Sequence, residues 1–520
     1  MTPADSHSSV TRSHHRRRRR REAKPGVLQA ALTKPALQKT HDFVSAAIYV
    51  GLLLLLLWLP IPLGSNRDWA RAVAELWIGG LFVLQIAAMI IASESIRFSK
   101  TAVSVLVLLA LWIAWIYFQS MPLPLEWIKW LAPHRNEVEM ALRHFGFVPN
   151  TEITISLDPV ITRLKFYESL SYVLFFLIVI LNTGDKPNRR VGILAAILAS
   201  GCLQVLYSLY MSGSGYEIDP LLGKPIRPLE ASGTFINRNH FAGYLELSLA
   251  AGLGLMGVWS NKASAKAQGW RRWAQLVIRA LESKKLWVRL AIALLFIGLF
   301  LSQSRMGNTA ALVGVIVALA ASFINTKSQR SIWGALILLG SILAFDIIFI
   351  GSQYGGDRLA NRMQTAVADM TTNDRALIRP ALAQMAEAYL PSGSGLGSFE
   401  SVYPEFRAVD TRVNQKYAHN DYYQFMIETG VVGATILGLI VLVTIAQAFV
   451  LLWCQREPKD RAAAVTVICT LTAYAVHSTV DFNFQINSNA TVFFVILALL
   501  WSCCARGPIG DAKRAQDSPR

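Results

Sequence analysis

Hydrophobic residues in this chain come in long blocks separated by shorter polar stretches. Twelve blocks stand out, at 43–63, 72–92, 101–120, 166–182, 190–211, 240–259, 287–303, 307–325, 332–351, 427–453, 462–480 and 490–504. Each is near the ~20 residues that an α-helix needs to cross about 30 Å of hydrocarbon. No strand-like alternation is visible. Backbone groups in lipid must hydrogen-bond within their own segment, so helices are the expected spanning element. The pattern predicts an all-α polytopic membrane protein with about twelve transmembrane helices.

The polar stretches set the organisation. A basic tail (1–42) precedes nine spans (43–351). A long loop (352–418) follows, then three more spans (419–504) and a short tail (505–520). If the spans alternate, the short basic loops ESIRFSK, DKPNRR, TKSQR and REPKDR all fall on the side of the N-terminus. Positive charge in short loops marks the cytoplasmic side, so both termini are expected inside. The longest loops, 121–165, 212–239 and 352–418, then lie outside. Sites gather where loops are elaborated, so an active site is expected on that face.

Composition agrees with a membrane protein. The chain has 520 residues, 53% hydrophobic and 16% charged, where a soluble chain has about 25% charged. The net charge of +17 includes six consecutive arginines at 16–21. We read that run as a disordered tail that enforces orientation and touches anionic lipid, not as a nucleic-acid site. It is followed by too long an apolar region for a cleavable signal peptide. Cys202, Cys454, Cys469, Cys503 and Cys504 lie in spans or at their inner ends, so no structural disulfide is expected. Trp127 and Trp130 suit a helix lying at the membrane interface. In the 352–418 loop, Asn373 is placed to cap a helix over RALIRPALAQMAEAYL; Arg375 and Arg379 share a face of it, as Arg358 and Arg362 do upstream.

Several residues carry candidate chemistry. His419 opens AHNDYYQFMIETGVVG (418–433), at the boundary between the long loop and the next span. Histidine titrates near neutral pH, and ionisable groups at membrane depth are functional candidates by default. Arg305 sits in a very short outer turn, SQSRMG (302–307). Arg238 and His240 flank the start of the sixth span, where they contact substrate or cap the helix. His477 and Asp481 are expected to pair as a structural hydrogen bond. Glu217 and Asp219 form the only outer acidic pair with the look of a metal site, and two carboxylates are too few for Mg²⁺. No metal site is assigned. Gly393, Gly395 and Gly397 do not follow a strand and lack a phosphate-loop lysine, so a nucleotide loop is not expected. Within the spans, Glu246 and Asp346 are the main charged residues read from the pattern.

The spacing His419-Asn420, nine residues, Gly430, two residues, Gly433 resembles the signature of the O-antigen ligase and polymerase (Wzy-type) family of membrane glycosyltransferases. SQSRMG resembles the family's Ser-Arg-Gly turn, with Met306 breaking the strict match. NDRALIRPALAQMAEAYLPSGSGLGSF (373–399), GTFINRNHFAGYLEL (233–247), HSTVDFNFQI (477–486) and ISLDPVITRLKFYESLSY (155–172) resemble further blocks, so the likeness runs roughly from 155 to 490.

The resemblance implies a GT-C-like helical architecture in the bacterial inner membrane with a large periplasmic loop. It implies transfer of a glycan from undecaprenyl pyrophosphate to an acceptor hydroxyl at the periplasmic face; metal independence is expected because acidic clusters are missing, and no cofactor is assigned. The acceptor is lipid A–core for a ligase, another lipid-linked repeat for an O-antigen or exopolysaccharide polymerase, or a protein hydroxyl in a third branch. His419 is then the base that activates the acceptor. Arg305 and Arg375, with Arg379 second, would hold the pyrophosphate, since the guanidinium fork binds phosphate oxygens in pairs. Arg238, His240 and Asn420 are further substrate-binding candidates. The rival reading is a transporter or flippase for a polysaccharide or lipid-linked substrate, for which twelve spans and inner termini are equally typical. Such a protein would place charge at the bilayer midplane and often carries internal repeats, and neither is visible here.

Overall fold

The computed structural model describes residues 25–92, 97–146, 152–227, 230–258, 283–324, 374–407, 415–454 and 457–506. The arginine run, the span at 332–351 with Asp346, Arg358, Arg362 and Asn373 lie outside the described residues, as does most of the 260–286 loop.

The described chain is mostly helical. Its long helices are α1 (Pro25–Trp58), α2 (Asp68–Ala92), α3 (Lys100–Gln119), α6 (Pro159–Thr183), α7 (Pro187–Gly213), α8 (Arg238–Val258), α9 (Lys284–Leu301), α10 (Arg305–Ser322), α13 (Asp421–Cys454), α14 (Pro458–His477) and α15 (Asn487–Ser502). Short helices α4 (Leu125–Leu131), α5 (Pro133–His144), α11 (Asp374–Ala388) and α12 (Phe399–Phe406) lie in the connections. Eight helices are long and apolar enough to cross a membrane: Leu37–Trp58 within α1, Asp68–Ile91 within α2, and the whole of α3, α6, α7, α8, α10 and α13. Helices α9, α14 and α15 coincide with three more of the predicted blocks. The molecule is therefore an all-α polytopic membrane protein.

Local sequence fixes the helix starts. Ser99, Asp158 and Ser304 cap α3, α6 and α10 by accepting from the N–H of Ala102, Ile161 and Gly307. Proline occupies the first turn of α5, α6, α7 and α14, where its missing N–H costs nothing. Inside α11, by contrast, Pro380 is carried without ending the helix.

Helix α8 is the centre of the bundle. It is 83% buried over its apolar window, against 50% or less for the other membrane-length helices. It packs on α7, α9, α10, α14 and α15. Its start, Arg238 to Ala242, is thereby placed near the bundle axis. Two ends of the bundle differ in chemistry. At one end, Arg190 pairs with Asp460 at 2.5 Å, and Arg461 donates to the carbonyls of Leu452, Ser322 and Ile324. Cations there complement the exposed carbonyls of helix C-termini. A two-residue antiparallel pair, β1 (Arg97–Phe98) with β4 (Ala505–Arg506), closes the same end.

The other end holds the long loops. Thr234 bonds the Pro60 carbonyl, and the Ala231 N–H donates to Leu301 O at 2.9 Å. Gln119 at the end of α3 donates to the Ser392 and Glu428 carbonyls at 2.8 and 2.9 Å. A second pair, β2 (Leu123–Pro124) with β3 (Glu152–Ile153), frames α4 and α5. In α4, Ile128 is buried, whereas Trp127 and Trp130 face outward, as expected for an interfacial helix. Among the described residues, which include all five cysteines, there is no disulfide.

Candidate functional site

The His419 turn lies at the loop-bearing end. His419 has φ +50°, in the left-handed region that non-glycine residues adopt uncommonly. Strain of this kind persists only where the surroundings over-determine it. Here they do. The Ala418 N–H donates to Gln424 Oε1 at 2.7 Å. Asn420 caps α13 by accepting from the N–H of Tyr422 and Tyr423, and its own Nδ2 donates to Thr479 O at 2.8 Å. The Asp421 N–H donates to Ser478 O, and the Ser478 hydroxyl returns a bond to Asp421 Oδ2, both 3.0 Å. The start of α13 is stitched to the segment after α14.

Phe482 is the hub of that segment. Tyr417 stacks on its ring at 4.4 Å, while His419 and His240 meet it edge-on at 4.8 and 4.5 Å. Two sequence-derived candidates, one from the loop and one from α8, thus flank a single aromatic ring. Asp481 holds the α8 side: it accepts from Asn239 Nδ2 at 2.6 Å and faces His240 Nε2 at 3.4 Å. Arg238 pairs with Glu230 at 2.8 Å. The expected His477–Asp481 bond is not made. His477 instead meets Glu246 Oε1 at 2.6 Å inside the bundle, because α8 and α14 pack face to face and bring two fully buried groups together.

The two motif glycines have distinct physical reasons. Gly430 interrupts α13 at φ +63°, ψ −168°, a region open only to glycine. The backbone of 391–395 runs against this kink. Ser394 N–H donates to Ile427 O, Gly395 N–H to Glu428 O, and Val431 N–H to Pro391 O, each at 2.9 Å. A Cβ on Gly430 would lie 2.1 Å from the Pro391 carbonyl oxygen. Gly433 lies between the Thr429 side chain and the Trp112 ring, where a Cβ would sit 2.3 Å from Thr429 Oγ1 and 3.3 Å from the ring. The Gly-rich turn is therefore a backbone clasp on α13, not a phosphate loop. It also positions α11, whose Ile378, Leu382 and Met385 pack with Ala418 and Ile427 beside the histidine turn.

The candidate arginines are spread around this end. Arg305 is exposed on the first turn of α10, which meets the start of α8 through Gly307 against Ala242. Arg379 is exposed on α11, next to Ile378 of the packed face. Arg375 lies on the same helix, and its side chain is outside the described residues.

Sequence reading missed a second cluster. The α6 side chain Lys165 donates to Glu168 Oε2 at 2.9 Å, and Arg71 of α2 faces the same oxygen at 3.6 Å. Tyr172 lies 2.7 Å from Glu168 Oε1 and 2.9 Å from Asn487 Oδ1. Glu75, Glu168 and Glu428 join Glu246 as acidic residues inside spanning helices, so the sequence reading of few charged span residues was incomplete. Burial raises the Tyr417 phenol above its ordinary value, and Lys165 and Arg71 pull it the other way. The signal was available: a Lys and a Glu three apart within the first turns of a span need partners.

A cavity of about 510 Å³ joins the two clusters. Lys165 and Glu168 line one side and Asp421 and Ser478 the other, and the remainder is largely apolar and aromatic, including Trp112, Phe425, Phe493 and Phe494. Tyr422 and Leu442 of its lining are exposed. Asp421 has no hydrogen-bond partner for its Oδ1 among the described residues.

Asp219 accepts from the Tyr207 hydroxyl and from the N–H of Leu221 and Leu222, and so organises a turn. Nearby, buried Lys224 donates to Ser232, Gly233 and Phe235 of the same loop, and burial pushes it down to about 8.

No curated protein matches the chain. Residues 290–438 match the family model described as O-antigen ligase. That segment runs from α9 through the Arg305 turn, the Gly-rich clasp and His419 to the kinked half of α13, and over it the chain is similar to the O-antigen ligase family.

Proposed function

We propose that this protein transfers a glycan from undecaprenyl pyrophosphate to an acceptor hydroxyl at the periplasmic face of the bacterial inner membrane. The observation that carries the reading is that His419, inside the matched domain, shares the Phe482 ring with His240 and lies two residues before Asp421 of the cavity lining. A sugar hydroxyl is a poor nucleophile until its proton is removed, and an imidazole accepts that proton at neutral pH. His419 takes the proton as the hydroxyl oxygen attacks the anomeric carbon. The new C–O bond forms as the bond to the diphosphate breaks, and the electron pair leaves on the diphosphate oxygen. Arg305, Arg379 and Arg375 are proposed to bear on the diphosphate from the outer side, with Arg238, His240 and Asn420 shaping the acceptor side. No metal or other cofactor is assigned a role. We place both termini in the cytoplasm and read the helical arrangement as GT-C-like.

The acceptor separates ligase, polymerase and protein-glycosylating branches. The test is the size of the lipid-linked glycan in cells whose only copy carries His419→Ala. Long chains accumulating on undecaprenyl pyrophosphate mean a ligase, and single repeats mean a polymerase. An unchanged profile with normal protein levels overturns the role of His419 and returns the choice to a transporter.

A further inference from the structure

The end of the bundle that holds Arg190 and Asp460 carries two more cations, and these converge on a neutral oxygen. Lys186 precedes α7 and Arg189 lies in its first turn. Lys186 Nζ donates to Ser45 Oγ of α1 at 3.1 Å, and Arg189 Nη1 donates to the same oxygen at 2.8 Å. Asn182 Nδ2, near the end of α6, donates to Ser45 O at 3.2 Å and stands 3.5 Å from Ser45 Oγ. A hydroxyl oxygen has two lone pairs, so three donors crowd an atom that can accept two. The other partners of Arg189 Nη1 are neutral as well: Asn182 O at 3.1 Å and Asn182 Oδ1 at 2.5 Å. Its Nε and Nη2 bond to nothing among the described residues. The guanidinium is held 5.1 Å over the Tyr49 ring, whose hydroxyl donates to Arg189 O at 3.3 Å. Ser45 and Asn182 are buried and Arg189 is partly so. A cation drawn out of water onto neutral groups alone is costly. Arg190, one residue on, is placed differently: it pairs with Asp460 and donates to the Thr183 and Gly184 carbonyls. Of the carboxylates near Ser45 and Arg189 in the chain, Asp42 accepts from Gln38 and faces His41, and Asp185 is exposed.

We infer that Lys186 and Arg189, beside Ser45, bind a phosphate group, carried by an anionic phospholipid or free in solution. A phosphate offers several anionic oxygens to donors that now crowd one hydroxyl, and the guanidinium fork takes two such oxygens at once. The place in the fold suits a lipid headgroup. Helices α6 and α7 are both of membrane length, one ending at Thr183 and the other beginning at Pro187, so the two cations stand where these spans leave the hydrocarbon. On α1, Phe43 and Val50 on either side of Ser45 are exposed and offer acyl chains an apolar surface. A phosphate held there would tie α1 to the corner between α6 and α7. The site lies at the opposite end of the bundle from the His419 turn and does not depend on the proposed transfer reaction.

The test uses the delipidated full chain in detergent. Native mass spectrometry reads binding of added phosphatidylglycerol, phosphatidylcholine or inorganic phosphate, and the melting temperature is read with each. Lys186→Gln and Arg189→Gln each remove a cationic donor. Lys459→Gln is the control, since Lys459 is a cation at the same end of the bundle that donates to Asn188. Phosphatidylglycerol should be retained over phosphatidylcholine and should raise the melting temperature. Its retention should fall about tenfold or more in Lys186→Gln and in Arg189→Gln, and stay at the wild-type level in Lys459→Gln. Stabilisation by phosphatidylglycerol and not by inorganic phosphate assigns the site to a lipid headgroup. Stabilisation by inorganic phosphate, lost in Lys186→Gln, assigns it to free phosphate. Where Arg189→Gln lowers the yield of folded protein, Lys186→Gln decides. The inference is overturned by binding that Lys186→Gln leaves untouched, by binding that Lys459→Gln lowers as much, or by no preference for phosphatidylglycerol together with no effect of inorganic phosphate.

Discussion

Gly430→Ala is the substitution whose effect follows most directly from the structure. Alanine at φ +63°, ψ −168° occupies a region that costs a non-glycine residue about 1–3 kcal/mol. Its Cβ would stand 2.1 Å from Pro391 O and 2.6 Å from Gly393 N, both backbone atoms that no rotamer change can move. Relief requires the 391–395 turn to lift, which gives up some of three hydrogen bonds at about 1 kcal/mol each, or else overpacking of about 1–3 kcal/mol is retained. The sum is about 2–6 kcal/mol against the clasped state. Gly438→Ala is the control: its Cβ meets nothing within 4 Å, and alanine is the better helix former. Hydrogen exchange of the peptides covering 391–398 and 427–433 reads the clasp. We expect exchange there to rise at least about thirtyfold in Gly430→Ala, with glycan transfer lost, and to stay unchanged in Gly438→Ala. Wild-type protection in Gly430→Ala would refute the argument that this glycine is required for the clasp.

Arg305→Ala should abolish transfer while protein in the membrane stays at the wild-type level, since an exposed side chain costs about 0.5 kcal/mol or less to remove; full transfer would exclude Arg305 from the diphosphate site. Glu246→Leu alone should destabilise by about 3–5 kcal/mol by leaving His477 buried without its partner, and the double change Glu246→Leu with His477→Leu should recover most of that loss, read as the melting temperature in detergent. For Lys224 the folded-state value of about 8 lies below the ordinary lysine value, so the unfolded chain holds its proton to higher pH. Stability should therefore rise as pH increases from about 8 towards the ordinary lysine value near 10.5, and be lost as pH falls back through 8. Lys224→Met should flatten that part of the melting-temperature profile; an equal slope in both proteins would count against a depressed Lys224.

Hydrophobic blocks of about twenty residues sufficed for an all-α membrane protein, because hydrocarbon leaves a backbone no other way to satisfy its polar groups. They located eleven of the twelve blocks as described helices, and 332–351 lies outside the described residues. The His419 motif was legible because its spacing is local: a cap at Asn420, a kink at Gly430 and a packing glycine at Gly433 all lie on one helix. What the sequence could not supply was partnership across the bundle. His477 was matched to Asp481, four residues away, whereas the packing of α8 on α14 pairs it with Glu246, 231 positions distant. The Gly-rich turn had no visible function until its backbone was found against the Gly430 kink. Lys165, Glu168 and Arg71 passed unnoticed because α2 and α6 are far apart in the chain and adjacent only in the fold. Span and motif follow from the solvent and from neighbours along one helix; the site depends on which helix ends are brought to the same place, and only tertiary packing decides that.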